Sequence, residues 1–412
     1  MRRFNVGRQL LTLFMTVVVL STLFGRPAQS QSTVQEPGTI PPGCVDGAQG
    51  SGAIYRICMP TTWNNKLVVY AHGYVAPNRP LGIPEDQMVI PGTTTRVDQV
   101  VNSRGYAFAT SGYRVNGLAV RQGVADLVEV ASLFTTLQSA PEQVLLVGVS
   151  EGGLIATLGV EQHADVFDGG LSMCGPYGNF GDQVDYFGDF RVVFDFYFPG
   201  LIPGSLVEVP ANLLDTWESS YYTGTVEPQI IDPNQASRVD QLLAVTGAAF
   251  DAFNMASKEN TIEQILWYNI YATNDARLKL GGQPFDNQQR TYRGSTDDNA
   301  LNQNVQRFAA DQAAHAEIAA HYETSGRLTV PLVTLHTTGD PVIPYWHAIQ
   351  YRGKTVAADN LALHEPLTVV GYGHCQFGLL PLLTAFARLE SMVANPPAYR
   401  PAQRVYLPLL AR

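Results

Sequence analysis

The chain has 412 residues, is 45% hydrophobic and 15% charged, and holds 37 Gly and 26 Pro. That balance excludes a disordered segment or a coiled coil, and the length suits one large domain with an insertion or two modest domains. A net charge of −10 without a long basic cluster excludes an electrostatic partnership with nucleic acid or an anionic membrane surface.

Taken in order, the chain begins with a processing signal. Arg2, Arg3 and Arg8 form a basic start, Leu10 to Phe24 is an uncharged, mostly apolar run, and Ala28-Gln29-Ser30 puts small residues where a signal peptidase reads. Residues 1–30 are therefore expected to be a cleaved secretory signal peptide, with the mature protein secreted or periplasmic. The apolar run is shorter than the roughly 18–20 residues of a membrane span, so no stable anchor is expected. Cleavage removes four arginines and no acid, taking the net charge from −10 to −14. Cys44, Cys58, Cys174 and Cys375 are then free to form disulfides in an oxidising compartment. The short Gly-rich segment between Cys44 and Cys58 makes that pair a natural hairpin staple, but four cysteines allow three pairings. The absence of C-x-x-C spacing or a metal-type His cluster argues against zinc, and no cofactor is implied.

Residues 31–43 are polar and Pro-rich and read as a loose leader. Strands are expected over Ala53–Met59, Leu67–Ala71 and Tyr106–Ser111, with a helix ending in Asp98–Arg104. Val124–Leu137 carries apolar residues at helical spacing. Val144–Val147 reads as a buried strand, Leu154–His163 as its helix, and Gly170–Met173 as the next strand. The β–α alternation then stops. It resumes with strands at Pro331–His336 and Leu367–Val370 and closes with a helix over Leu379–Val393. Such alternation implies a mostly parallel sheet covered by helices on both faces. Residues 31–174 and 327–412 are thus expected to form an α/β core, and residues 175–326 a mainly helical cap. Helices are expected within the cap at Ala236–Phe253, Thr261–Tyr271 and Asn302–Tyr322. Its aromatics, from Tyr177 to Phe198, read mainly as the cap's own core, with some facing a ligand. The apolar tail Tyr399–Arg412 is expected to add an edge strand or to dock on the surface.

The stretch Gly148-Val149-Ser150-Glu151-Gly152 lies between strand and helix. A turn this sharp strains the serine backbone and requires small neighbours, which Gly148 and Gly152 provide. It lifts the Ser150 hydroxyl above the sheet edge and aims the Glu151 backbone N–H at a developing oxyanion. A serine needs a base, and the base an orienting carboxylate. Asp340, in Thr337-Thr338-Gly339-Asp340-Pro341, and His374, in Gly371-Tyr372-Gly373-His374, each follow a strand. Both are therefore expected on the sheet edge that carries Ser150. His336, His347 and His364 are rival bases, and Asp168 and Glu365 rival acids. A second oxyanion donor is expected from the loop after Leu67–Ala71, at Tyr74, with His72 bracing that loop.

Strand-His72-Gly73, the Ser150 motif, the Asp340 turn and Gly373-His374 together resemble the α/β-hydrolase superfamily over residues 53–174 and 327–395. The resemblance implies an eight-stranded, mostly parallel sheet and a two-step acyl-enzyme mechanism with Ser150, His374 and Asp340. Gly373-His374-Cys375 is further similar to the tannase and feruloyl esterase group, in which a disulfide joins the residue before the serine to the residue after the histidine. Val149 stands before the serine here, so the resemblance implies that Cys174 takes its place and pairs with Cys375. The expected activity is hydrolysis of a small-molecule or oligomeric carboxylic ester, including bulky, aromatic or polyester substrates. The alternative is an exported aminopeptidase that holds the substrate amine on a cap carboxylate, Asp185, Asp189 or Asp195. A non-catalytic binding protein on this fold would lack one of the three residues.

Overall fold

The computed structural model describes residues 40–90 and 93–396. The signal-peptide expectation and the tail from Tyr399 both lie outside these residues. The strands are β1 (Cys44–Ala48), β2 (Ile54–Cys58), β3 (Lys66–Ala71), β4 (Ala107–Ser111), β5 (Gln143–Val149), β6 (Gly169–Met173), β7 (Leu332–Gly339) and β8 (His364–Tyr372). They form one sheet in the order β1-β2-β4-β3-β5-β6-β7-β8. The β1–β2 and β2–β4 pairs are antiparallel and all others parallel. This is the mostly parallel sheet that the alternation implied, with the eight strands of the α/β-hydrolase fold that the resemblance implied.

Alternate strand residues feed two core layers, as the period-2 geometry of a strand requires. Leu67, Val69, Ala109 and Leu146 face helices α2 (Val120–Leu137) and α3 (Glu151–Gln162). Val68, Phe108, Leu145, Val147 and Leu335 face α1 (Val97–Ser103) and α12 (Leu379–Ala394). Because β3 and β5 to β8 are parallel, the loops after them all leave at one edge. The cap emerges from that edge after β6.

Between β6 and β7 the chain forms α4 (Phe180–Tyr197), α5 (Ala211–Thr216), a π-helical stretch (Trp217–Val226), α6 (Glu227–Ile230), α7 (Ala236–Thr246), α8 (Ala256–Lys279), α9 (Asp298–Asn304) and α10 (Gln312–His321). A further helix, α11 (Trp346–Ala357), follows β7. The cap has its own core, in which Phe190, Phe194 and Trp217 pack on Ile262, Leu266 and Ile270. Its two ends belong to the sheet's core instead: Phe180, Ala314, Ile318 and Tyr322 pack there. Cap and sheet consequently form one compact unit.

Three helical expectations in the cap change. The helix from Ala236 stops at Thr246 because Gly247 turns left-handed, at φ +65°. The helix around Thr261–Tyr271 is longer, reaching from Ala256 to Lys279. The expected helix Asn302–Tyr322 is broken between α9 and α10. There the backbone binds residues 283–287 instead, through Asn287 N–H to Phe308 O, Phe308 N–H to Asn287 Oδ1 and Asp311 N–H to Gln283 O. Tertiary hydrogen bonds outweigh the alanine-rich helix propensity of this stretch.

Two disulfides are present, Cys44–Cys58 across the first hairpin and Cys174–Cys375 between the ends of β6 and β8. They span 14 and 201 residues respectively. On loop-closure entropy the longer one constrains the unfolded chain more, by about 2 kcal/mol. A Cys174→Ser/Cys375→Ser protein is therefore expected to unfold at lower denaturant than Cys44→Ser/Cys58→Ser, and denaturant titration of the two double variants checks the order.

Candidate active site

Ser150 sits at the tip of the β5–α3 turn with φ +59° and ψ −125°, outside the usual regions for a side-chain-bearing residue. The two motif glycines make this turn possible by close approach. A Cβ on Gly148 would lie 1.9 Å from the Gly152 carbonyl oxygen, and one on Gly152 would lie 2.1 Å from the Ala71 oxygen. The turn is pinned to its neighbour by Ser150 N–H donating to Met173 O at 2.9 Å.

The structure brings Ser150, His374 and Asp340 into one chain of hydrogen bonds. Ser150 Oγ–H donates to His374 Nε2 at 2.8 Å, and His374 Nδ1–H donates to Asp340 Oδ2 at 2.8 Å. Asp340 is buried, and its Oδ1 accepts the backbone N–H groups of Val342 and Ile343 at 2.9 Å each. The turn after β7 therefore fixes the carboxylate before the imidazole reaches it. His374 follows β8 and is tied through Cys375 to Cys174 at the end of β6.

The rival residues are placed elsewhere. His336 lies inside β7, where its ring accepts from Tyr177 O–H at 2.9 Å and donates to Ile343 O at 2.8 Å. Burial pushes its pKa down, so it sits as a neutral brace beneath Asp340. His347 joins Gly178 N–H to Gln183 Oε1, and His364 bonds Thr334 and Thr355. Asp168 caps the opposite end of β5 through Val144 N–H, and Glu365 pairs with Arg388. The cap carboxylates are also engaged. Asp185 and Asp189 both pair with Arg290, Tyr292 O–H adds to Asp189, and Asp195 pairs with Arg191.

The loop after β3 approaches Ser150 closely: a Cβ on Gly73 would lie 3.1 Å from the Ser150 Cβ. Gln87 clamps this loop, accepting Gly73 N–H at 2.7 Å and donating to Tyr74 O at 3.0 Å. The Tyr74 N–H makes no hydrogen bond to protein among the described residues. Tyr74 and Glu151, the first residue of α3, line one cavity together with Ser150. His72 is buried, stacks on Tyr113 at 3.9 Å and donates from Nδ1 to Gly73 O. Burial lowers its pKa to about 4, which keeps it a neutral brace.

Three features of the site escaped the sequence. Gln87 is one. Tyr268, from the middle of α8, brings its hydroxyl toward Ser150 and stacks on Phe187 at 5.1 Å. Helical spacing placed it in a cap helix, but nothing in the spacing marked the face that meets Ser150. The third is the Glu151 side chain, buried under Ala119 N–H at 2.9 Å. Two cavities flank the centre. One of about 130 Å³ lies on the Ser150 side, with Leu118, Phe180, Val184, Phe187 and Ile343 in its wall. The other, of about 300 Å³, is lined by His374, Trp267 and Val342, and Tyr268 borders both.

No protein-family model and no curated protein sequence matches the chain. Among solved structures it is similar to an acylaminoacyl peptidase from Pyrococcus horikoshii, at 12% identity and TM-score 0.41, over 86% of this chain and 41% of that one. It is also similar to a puromycin hydrolase, at 14% identity and TM-score 0.41, over 85% of this chain and 38% of that one. A Pyrococcus furiosus esterase matches at 10% identity and TM-score 0.43, over 85% of this chain and 89% of that one. The chain spans about two-fifths of the length of the peptidases it matches.

Burial raises the Glu151 carboxyl to about 8, against an ordinary value near 4.5. The folded protein thus keeps a proton that the unfolded chain releases. The resulting stability is fully present below about pH 4.5 and is lost as pH rises through about 8. Asp189 and Glu263, raised to about 6 and 7, act in the same direction. The wild type is expected to be less stable at high pH than at pH 5. Glu151→Gln should flatten that loss in denaturant titrations across the window, and equal slopes would contradict the assignment.

Proposed function

We propose that this chain is a serine hydrolase that cleaves carboxylic esters through an acyl-enzyme. The observation that carries the reading is the continuous hydrogen-bond chain from Ser150 Oγ through His374 to Asp340, at 2.8 Å for each link. Ser150 attacks the ester carbonyl while His374 Nε2 takes its proton. Asp340 holds the tautomer with the proton on Nδ1 and stabilises the imidazolium. The N–H groups of Glu151 and Tyr74 receive the oxyanion. His374 then gives its proton to the leaving alcohol. A water, giving a proton to His374, attacks the acyl-enzyme; the acyl–Oγ bond then breaks, His374 returns the proton to Ser150 Oγ, and the acid is released.

An ester fits better than a peptide with a free amine, because Asp185 and Asp189 are both already engaged by Arg290, and Asp195 by Arg191. The apolar wall beside Ser150 suits an acyl group of moderate bulk. We also read the protein as exported. The two disulfides support this, because such bonds persist in oxidising compartments.

The test is turnover of p-nitrophenyl esters and aminoacyl p-nitroanilides by the secreted chain, whose N-terminus is expected just after Ser30. Ester turnover should exceed anilide turnover. It should fall at least about ten-thousandfold in Ser150→Ala. Asp340→Asn, which leaves the wrong tautomer, should lose a similar factor. Preference for anilides with a free amine would overturn the ester reading, and unchanged activity in Ser150→Ala would overturn the mechanism.

A further inference from the structure

The cavity beside Ser150 is predominantly apolar, yet two of the residues that line it each carry a buried polar atom without a partner. Glu151 is 7% exposed, and only one of its carboxyl oxygens is used, accepting Ala119 N–H at 2.9 Å. The other, Oε2, has no hydrogen-bond partner among the described residues. The Tyr74 hydroxyl is likewise buried and unpaired. Both residues line the cavity together with Ser150. Leaving such groups unsatisfied is costly, and natural proteins tolerate it where a ligand completes the bonds. Other polar groups in the wall have protein partners: Gln183 donates to Val342 O and accepts from His347, Asn269 donates to Ile265 O, Thr273 donates to Asn269 O, Gln283 donates to Phe285 O and Ala309 O, and Arg277 donates to Val207 O.

We propose that this cavity is the acyl pocket and that Glu151 and Tyr74 bind a neutral hydroxyl on the acyl chain, making hydroxyacyl esters the preferred substrate class. The inference rests on the ester-hydrolase reading and names the substrate of that same site.

A hydroxyl fits better than an ammonium for three reasons. First, the ionisable groups around the cavity leave no net negative charge to attract a cation. Asp275 is paired with Lys279 at 2.9 Å and also accepts Leu118 N–H at 2.7 Å, Arg277 in the wall is itself a cation, and Tyr74, Tyr113, Tyr268 and Tyr322 are phenols whose pKa burial raises further. Second, an ammonium would have to be desolvated against apolar walls. Third, burial keeps Glu151 protonated at neutral pH, so it offers one donor and one acceptor. A hydroxyl presents the complementary acceptor and donor. The geometry behind the carboxyl is fixed. A Cβ on Gly117 would lie 2.1 Å from Asp275 Oδ2, so the loop carrying Leu118 and Ala119 is held directly against α8.

The experiment compares isosteric p-nitrophenyl esters that differ only in hydroxyl against methyl. The pairs are 3-hydroxybutanoyl with 3-methylbutanoyl, and terminal-hydroxyl with terminal-methyl chains of about six to eight carbons. The wild type should favour the hydroxyl member in kcat/KM by roughly tenfold or more in at least one pair. Glu151→Met should abolish that ratio, Tyr74→Phe should reduce it, and Glu151→Gln should retain it. The ratio is read rather than the absolute rate, because the Glu151 backbone also serves the oxyanion. Equal or methyl preference in every pair overturns the proposal, as does a hydroxyl preference that survives both Glu151→Met and Tyr74→Phe. A preference for chains ending in an amine overturns it in favour of a cation pocket. Calorimetry on Ser150→Ala with the free hydroxy acids and their methyl isosteres reads the same pocket without turnover. Failure of the esterase reading appears as a wild type inactive on all esters, and failure of the pocket assignment as equal binding of both acids.

Discussion

Everything at the centre of this molecule depends on how closely the β5–α3 turn approaches β3. The Gly152 Cα lies against the Ala71 and His72 carbonyls, and the Gly148 Cα against the Gly152 carbonyl, with no room for a Cβ at either position. That contact forces Ser150 to a positive φ and projects its hydroxyl away from the sheet. It also points the first N–H groups of α3 at the space in front of the hydroxyl. The strain is held by packing on every side: β3 and β6 pair with β5, and Met173 O accepts Ser150 N–H. With Ser150 fixed in this way, Asp340 and His374 need only be delivered by the ends of β7 and β8 to complete the hydrogen-bond chain.

Asp340 and His374 are delivered by different means. Asp340 is set by its own turn, through two backbone N–H groups, and by burial over His336. His374 lies on the loop after β8, and the disulfide from Cys375 to Cys174 ties that loop to the end of β6. Cys174 and Cys375 both take positive φ values, which a side-chain-bearing residue adopts only when its surroundings insist. The cross-link thus joins the two strand ends that flank β7. The cap completes the centre from above, with Tyr268 bordering the cavities on both sides of Ser150 and His374.

Much of this was legible in the chain because strand ends are legible. Short apolar runs ending in Gly-Val-Ser-Glu-Gly, Gly-Asp-Pro and Gly-Tyr-Gly-His place Ser150, Asp340 and His374 at one sheet edge before any distance is known. Gln87 was not legible, since it sits in a Pro-rich loop and acts through two backbone groups of a distant loop. Tyr268 was hidden because the cap has its own core, and an aromatic that packs and one that faces a ligand look alike in sequence. The side chain of Glu151 was hidden by its neighbour's motif: its place at the head of α3 followed from position, whereas its burial depends on the loop at Leu118 and Ala119. The break between α9 and α10 was missed for a related reason, because the hydrogen bonds that replace the helix come from residues about 20 to 30 positions away.

The central claim is that Ser150 is an activated nucleophile. The most direct measurement is peptide mapping by mass spectrometry after reaction of the folded, oxidised protein with a fluorophosphonate. The account predicts one adduct per chain, carried on Ser150 and abolished by denaturing the protein before exposure. A folded protein that takes no adduct, or that carries it on another residue, would contradict it.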